Sequence, residues 1–305
     1  GYFDDQNKEY VITTPQTPLP WINYLGSEDF FSLVSNTAGG YSFYRDARMR
    51  RLTRYRYNNS PLDMDGHRIY IKDGDTVWNP GWQPTKTPLD SYSCRHGLGY
   101  TVVEGKKDGV TARQELFVPK GDACELDRLT LTNRSDRPRE LDVFGYVEFC
   151  LWDAVDDSTN FQRNFSTGEV EVEPGVIYHK TEYRERRDHY AMFWSNTPVT
   201  SFDTTRDAFC GVYGGPADPQ AVRAGHCSGS IAHGWAPVGA LHIHVTLAPG
   251  EEKKILFGLG YIENPQDEKF SASGVINKTR AHAMMARYAT DAQVDAARAA
   301  LAQHW

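Results

Sequence analysis

The stretch RELDVFGYVEFCLW (139–152) decides the fold class. Small or apolar residues occupy every second position: Leu141, Val143, Gly145, Val147, Phe149 and Leu151. Successive side chains of a strand point to opposite faces, so this alternation predicts one long strand with a face in a core. The intervening positions include Phe144, Tyr146 and Trp152, and we therefore expect the second face to be covered as well.

The segments around this strand follow the same pattern. ELDRLTLTN (125–133) joins it through the polar turn RSDRP, and LHIHVTL (241–247) leads through a Pro-Gly turn into ILFGLGYI (255–262). Many short strands separated by turn residues are typical of antiparallel sandwiches and barrels. The sequence shows no alternation of strands and helices, so a parallel sheet is not expected. The sequence predicts a mainly β protein, a large antiparallel β-sandwich over residues 1–266, followed by a short helical segment.

The pattern changes near residue 267. Ala281, Met284, Met285 and Tyr288 predict one helix. Asp291 can cap a second helix, whose apolar stripe is Val294, Ala297, Leu301 and Trp305. This stripe needs a covering layer, which is either the sandwich itself or a helical domain outside this chain.

Composition excludes several classes of function. The 305 residues carry a formal net charge of -7, so a nucleic-acid partner is not expected. No apolar run is long enough to span a bilayer, so no membrane partner is expected either. Five scattered cysteines without a CxxC spacing indicate reduced thiols in a cytoplasmic protein, with neither a metal site nor a disulfide framework.

The first candidate site is FCLWDAVDDSTNFQRNFS (149–166), where a strand end delivers Asp153, Asp156 and Asp157 and then a run of amides and Arg163 between aromatics. Forked polar groups beside aromatic faces suit sugar binding. A polar turn whose acids cap backbone amides and pair with arginine explains the same residues. Adjacent acids alone do not indicate a glycosidase pair, because that chemistry needs two carboxyls about 5–9 Å apart.

A second candidate is YRDARMRRLTRYRYNN (44–59), which contains six arginines. It could bind phosphate or an acidic partner surface, or it could be a strand with arginines stacked on tyrosines at its wet face. His242 and His244 have a spacing that can serve a metal, but no third ligand is evident. His96 beside Cys94 could activate a nucleophile, but no orienting acid stands out.

Long stretches resemble, in order, the cellobiose phosphorylases of glycoside hydrolase family 94. They include the first sixty residues, YVEFCLWDAVDDSTNFQRNFSTGEVEVE (146–173), VIYHKTEYRERRDHYA (176–191) and LGYIENPQDEKF (259–270). The resemblance implies an N-terminal super-sandwich, with residues 267–305 as a helical linker toward a catalytic (α/α)6 barrel outside this chain. It implies inverting phosphorolysis of cellobiose to α-glucose 1-phosphate and glucose, with no cofactor and with inorganic phosphate as co-substrate.

The same resemblance assigns residue roles. Arg163 and Gln162 are expected to contact the sugar, and Tyr44, Arg45 and Arg48 are candidates for a homodimer interface. No residue here matches the family's catalytic acid or its phosphate-binding residues, so no catalytic residue is assigned and the chain alone is expected to be inactive. Two other functions stay open: a free-standing carbohydrate-binding sandwich, and an assembly module.

Overall fold

The computed structural model describes residues 1–26, 28–55, 62–159, 167–183, 185–186, 188–234 and 236–305. The described strands are β1 Tyr2–Asp4, β2 Glu9–Ile12, β3 Ile22–Leu25, β4 Phe30–Ser35, β5 Gly40–Tyr44, β6 Arg51–Thr53, β7 His67–Asp73, β8 Thr76–Trp78, β9 Ser91–Gly97, β10 Tyr100–Lys107, β11 Val110–Phe117, β12 Cys124–Asn133, β13 Arg139–Trp152, β14 Thr167–Glu173, β15 Val176–Tyr183, β16 Glu185–Arg186, β17 His189–Ser195, β18 Ser201–Thr205, β19 His233–Gly234, β20 Pro237–Leu247, β21 Glu252–Glu263, β22 Phe270–Ala272 and β23 Val275–Ile276. The described α-helices are α1 Ala154–Ser158, α2 Arg206–Cys210, α3 Gln220–Ala224, α4 Thr279–Ala286 and α5 Asp291–His304.

Two large antiparallel sheets carry the fold. The first has the order β1-β2-β9-β10-β11-β12-β21-β17-β15-β14-β19, and the second has the order β18-β20-β13-β6-β5-β4-β3. Strand β13 is a central strand of the second sheet, because it pairs with β20 on one side and with β7 and then β6 on the other. The prediction of a mainly β antiparallel sandwich is confirmed.

The main core lies between the two sheets, and β13 contributes Val143, Val147 and Phe149 to it. At Gly145 a Cβ atom would lie 2.5 Å from the Phe257 ring of the other sheet, so a larger residue there would displace this ring. Burying apolar surface on this scale is the main favourable contribution to folding.

The second face of β13 is also covered, as its aromatic residues predict. Phe144 and Tyr146 pack with Phe209 of α2 and Val222 of α3 in a separate apolar cluster. The Tyr146 and Phe209 rings stack with centroids 4.5 Å apart. Both faces of this strand are therefore dry along most of its length, which explains why it is apolar or aromatic on both sides.

The C-terminal helices pack on the outer face of the first sheet. Ala281, Met284, Tyr288, Val294 and Leu301 are buried there with sheet residues. Of the two coverings that the sequence left open for this stripe, the sandwich itself is the one observed at Val294 and Leu301. Trp305, the last residue of the stripe, is half exposed. The segment before the helices also differs from expectation, since β22 and β23 form a short hairpin within 267–305. In the described part of the chain, no helix is long and apolar enough to cross a membrane.

Candidate functional site

The candidate site is built at the carboxyl end of β13. The register of β13 against β6 shifts between Phe149 and Trp152, and Trp152 has a φ of +67°. This left-handed conformation turns the Trp152 ring into the main core instead of the face that strict alternation predicts. A non-glycine residue in this region is strained, and such strain persists only where the surroundings hold it.

Helix α1 follows at once and is a single turn capped by an aspartate. The Asp153 carboxylate accepts hydrogen bonds from the backbone N–H groups of Val155 and Asp156, at 2.8 and 3.1 Å. The capping role that the sequence allows for these acids is therefore present at Asp153.

A buried ion pair joins α1 to the segment 44–59, which we call the Arg-rich segment. Arg54 donates from Nε and an Nη to the two carboxylate oxygens of Asp157, at 2.7 and 2.8 Å. The Leu151 N–H also donates to Asp157, at 3.3 Å. Only 6% of the Arg54 side chain and 4% of the Asp157 side chain are exposed. A bidentate pair in this setting fixes both distance and orientation.

A second carboxylate extends this pair into a network. Glu148 lies 3.6 Å from an Nη of Arg54 and 3.3 Å from Nε of Arg206, and it accepts a 2.8 Å hydrogen bond from the Tyr146 hydroxyl. Burial lowers the pKa of Arg54, but Asp157 and Glu148 raise it by more, so the guanidinium keeps its charge. Two cations thus balance two buried acids, as desolvated charges require.

The Arg-rich segment is docked against the strand end at several points. The Ala154 N–H donates to the Arg48 carbonyl at 2.8 Å, and the Arg48 guanidinium lies 3.8 Å from the Asp153 carboxylate. The Arg51 guanidinium stacks 4.0 Å from the centre of the Tyr41 ring. Stacking on tyrosine, one of the two interpretations of this segment, is therefore correct for Arg51, whereas Arg54 is buried and not at a wet face.

Gln162 and Arg163 lie outside the described residues. The residues on either side are placed: α1 and Thr159 precede them, and β14 begins at Thr167, where it pairs with β15. Their sugar-binding role stays a prediction.

The three interface candidates lie at the start of the Arg-rich segment. The Tyr44 ring stacks on Tyr261 with centroids 4.1 Å apart, and burial raises its pKa. Arg45 forms a bidentate pair with Asp29, at 2.9 and 2.8 Å, and Arg48 is largely exposed. All three side chains therefore have a partner within the chain, Arg48 through its ion pair with Asp153, and their role in a dimer stays a prediction.

A buried histidine lies under the strand end. The His179 ring stacks on Phe149 with centroids 4.7 Å apart, and burial lowers its pKa to about 3. Neither ring nitrogen has a hydrogen-bond partner among the described residues. His179 is thus neutral at physiological pH and fills space beside the ion pair without adding charge.

The histidine candidates elsewhere have structural partners. His242 donates from Nε2 to the Asp142 carboxylate and shares a hydrogen bond through Nδ1 with the Ser201 hydroxyl, both at 2.9 Å, and His244 bridges Asp142 and Glu140. Within the described ranges, no group of three or more His, Cys, Asp or Glu side chains could hold a metal ion.

His96 is likewise held in place by neighbours. It contacts the Thr101 hydroxyl and the Trp21 carbonyl, both at 3.0 Å, and burial raises the pKa of the neighbouring Cys94 thiol far above neutrality. The Cys94 thiol is also fully buried, so neither its pKa nor its exposure favours a role as nucleophile. All five cysteines are buried and unpaired.

Sequence reasoning missed the part played by Arg54 and Glu148. Both lie in segments that it singled out, but a local pattern does not show which arginine of six is buried. The signal was the placement of Glu148 two positions after Tyr146 and four after Phe144, on a face expected to be covered, because a buried acid needs a cationic partner.

Comparisons with known proteins agree with this architecture. Residues 8–291 match the sequence model of the glycosyl hydrolase 94 supersandwich domain. The chain is 38% identical, over its whole length, to an N,N'-diacetylchitobiose phosphorylase of Vibrio furnissii, and it spans 37% of that protein. It is 36% identical to a solabiose phosphorylase of Paenibacillus borealis, over 83% of this chain and 33% of that protein.

A solved structure with a similar fold illustrates the structural comparison. A protein from the human microbiome, provisionally named a kojibiose phosphorylase, superposes with a TM-score of 0.50 at 9% identity. The superposition covers 94% of this chain and 36% of the other. At this identity the likeness concerns the fold alone.

Proposed function

This chain belongs to the glycosyl hydrolase 94 supersandwich family, and from that premise we propose that it is the N-terminal part of an inverting disaccharide phosphorylase. The observation that carries the proposal is the full-length match to a phosphorylase at 38% identity. Because the chain spans only about a third of such relatives, the reaction belongs to a longer protein. Residues 267–305 then link the sandwich to a catalytic barrel.

The proposed substrate is a β-linked disaccharide, with inorganic phosphate as co-substrate and no other cofactor. The resemblance seen in the sequence alone favours cellobiose. The name of the Vibrio furnissii relative, which a second Vibrio relative shares, favours N,N'-diacetylchitobiose. We propose diacetylchitobiose as the first substrate to assay and cellobiose as its competitor. The five unpaired cysteines support the proposed cytoplasmic location.

The mechanism needs only one carboxyl group. Phosphate attacks C1 directly while a protonated aspartate of the barrel donates to the leaving oxygen, so no second acid is needed to activate water. In this scheme Arg163 and Gln162 orient the sugar through forked hydrogen bonds. The Arg54–Asp157 pair holds α1, which leads into them, and a homodimer contact at Tyr44, Arg45 and Arg48 completes the proposal.

The test is phosphorolysis by the full-length enzyme carrying Arg163→Ala, measured as the rate at which sugar 1-phosphate is released. Loss of one hydrogen bond to a substrate hydroxyl should lower kcat/KM by about 0.5–3 kcal/mol in transition-state free energy. Arg134→Ala is the matched control, because Arg134 is an exposed arginine in the turn between β12 and β13. Unchanged kcat/KM in Arg163→Ala would remove Arg163 from the site.

The 305-residue chain alone should release no sugar 1-phosphate from either disaccharide. Turnover by the chain alone would contradict the proposal that the reactive groups lie in the barrel.

A further inference from the structure

A cleft between the segments 15–20, 36–37, 62–63 and 82–86 has the make-up of a ligand site. Its volume is about 380 Å³. The described residues that line it are Pro15, Gln16, Thr17, Pro18, Leu19, Pro20, Asn36, Thr37, Leu62, Asp63, Trp82, Gln83 and Lys86. We call it the Trp82 cleft. Its size falls in the range of small-molecule sites, about 300–1,000 Å³.

Backbone strain is concentrated in this cleft. Asp63, Trp82 and Lys86 have φ angles of +61°, +74° and +58°, all left-handed, and none of them is a glycine. Each such residue costs about 1–3 kcal/mol, and such costs cluster at ligand sites. Three residues with left-handed backbone conformations around one cleft indicate that the surrounding structure holds the backbone in a particular shape there.

The surrounding hydrogen bonds show how that shape is held. The Asp63 carboxylate accepts from the hydroxyls of Ser35, Thr37 and Tyr55. The Trp82 N–H donates to the Asn79 carbonyl at 3.0 Å, and the Lys86 N–H donates to the Trp82 carbonyl at 2.8 Å. These contacts are internal and leave the outer ends of the Trp82, Gln83 and Lys86 side chains to face the cleft.

Two polar groups of the cleft have no hydrogen-bond or ion-pair partner among the described residues. The Gln83 Oε1 atom is buried and accepts no hydrogen bond, although the Gln83 amide nitrogen donates to the Leu62 carbonyl at 3.3 Å. The Lys86 ammonium is exposed, forms no ion pair, and lies 5.7 Å from the centre of the Trp82 ring. A buried acceptor without a partner is costly, and a ligand hydroxyl would satisfy it.

We propose that the Trp82 cleft binds one or two rings of a saccharide. A sugar hydroxyl donates to Gln83 Oε1, another accepts from the Lys86 ammonium, and the apolar face of the ring packs on Trp82. The choice of a saccharide rests on the proposed function, whereas the existence of a ligand site rests on the cleft alone.

The experiment is isothermal titration of the 305-residue chain with N,N',N'',N'''-tetraacetylchitotetraose and, separately, with cellotetraose. Trp82→Ala should weaken binding by about tenfold or more, since the aromatic platform is lost. Lys86→Gly should weaken it by about threefold to tenfold, the value of one hydrogen bond. Glycine suits the left-handed backbone there, so Lys86→Gly should fold at least as well as the parent.

Lys8→Gly is the matched control for Lys86→Gly. Lys8 is an exposed lysine with a φ of +55° that does not line the cleft, so its replacement should leave saccharide affinity unchanged. A variant carrying Arg163→Ala separates the two sites, because the Trp82 cleft should bind equally well in it.

Four results would overturn the inference, three of them from titration with the saccharides. The first is that neither saccharide gives a heat of binding at millimolar concentrations. The second is that Trp82→Ala binds the saccharide as tightly as the parent. The third is that Arg163→Ala loses binding while Trp82→Ala and Lys86→Gly keep it. The third result would leave the proposed function intact. Binding of a proline-rich decapeptide with no binding of either saccharide would also overturn it, because the cleft would then be a peptide site.

Discussion

Two arginines at opposite ends of the Arg-rich segment make the same contact in different surroundings. Arg54 grips Asp157 and Arg45 grips Asp29, each through Nε and an Nη, with all four distances between 2.7 and 2.9 Å. The exposed side-chain fractions are 6% and 4% in the first pair but 63% and 50% in the second. Geometry is shared, and burial is what differs.

This difference decides what each pair does. An exposed pair is screened by water and salt and adds little stability. A buried pair keeps its attraction, but removing one partner strands the other charge in a medium of low dielectric. The Arg54 pair therefore holds α1 and the end of β13 in place, whereas solvent screens the exposed Arg45 pair.

The largest expected effect comes from breaking the buried pair. Arg54→Ala should lower the free energy of unfolding by about 3–5 kcal/mol, because it leaves Asp157 and Glu148 buried without their shared cation. Urea unfolding at pH 7, followed by tryptophan fluorescence, measures the change.

Arg54→Lys and a double variant sharpen this test. Arg54→Lys keeps the charge but loses the fork, so it should lie between Arg54→Ala and the parent. Arg54→Met with Asp157→Leu removes both charges and should be more stable than Arg54→Ala alone. A loss of less than about 1 kcal/mol in Arg54→Ala would mean that burial does not separate the two pairs.

An intermediate effect is expected at His242 and His244, which differ in burial on one strand. Burial lowers the pKa of His242, so its contribution to stability is lost as the pH falls from about 6.5 through its lower folded-state pKa. Asp142 and then Glu140 raise the pKa of exposed His244, so its contribution is full below about 6.5 and is lost as the pH rises through its folded-state pKa.

The measurement is unfolding free energy between pH 5 and pH 8 for the parent, His242→Gln and His244→Gln. The parent's advantage should grow with pH over His242→Gln and shrink with pH over His244→Gln. For His244 it should stay below about 1 kcal/mol, because solvent screens the exposed pair. Slopes of the same sign would contradict the assignment.

The smallest effect is expected at the exposed pair. Arg45→Ala should leave the urea midpoint of the chain unchanged, because water replaces the contact. If Arg45 lies in a dimer interface, sedimentation of the full-length enzyme should show less dimer for Arg45→Glu. A shifted midpoint would mean that the exposed pair stabilises the fold, and an unchanged dimer fraction would remove Arg45 from the interface.

Much of the fold was predictable because strand pattern is a local property. The segment RELDVFGYVEFCLW matches β13 residue for residue, and ELDRLTLTN lies within β12. The hairpin at 270–276 was missed, since its strands are too short to show alternation. The covering of the α5 stripe was left open, because periodicity shows that a face is apolar but not what lies against it.

The candidate site was less predictable. The acids at 153–157 and the arginines at 44–54 were each recognised, but their pairing joins residues about a hundred positions apart in the sequence. The Trp82 cleft gave no signal at all, since its lining comes from four separate segments and its strain appears only in backbone angles.

The sequence by itself determined that this chain is an antiparallel sandwich of the glycosyl hydrolase 94 supersandwich family, because alternation and family resemblance are both written along the chain. Only the tertiary structure decided which arginine is buried, which face the C-terminal helices cover and where Trp152 points. The physical reason is that burial depends on neighbours from distant segments, and burial sets the strength of every charge pair described above.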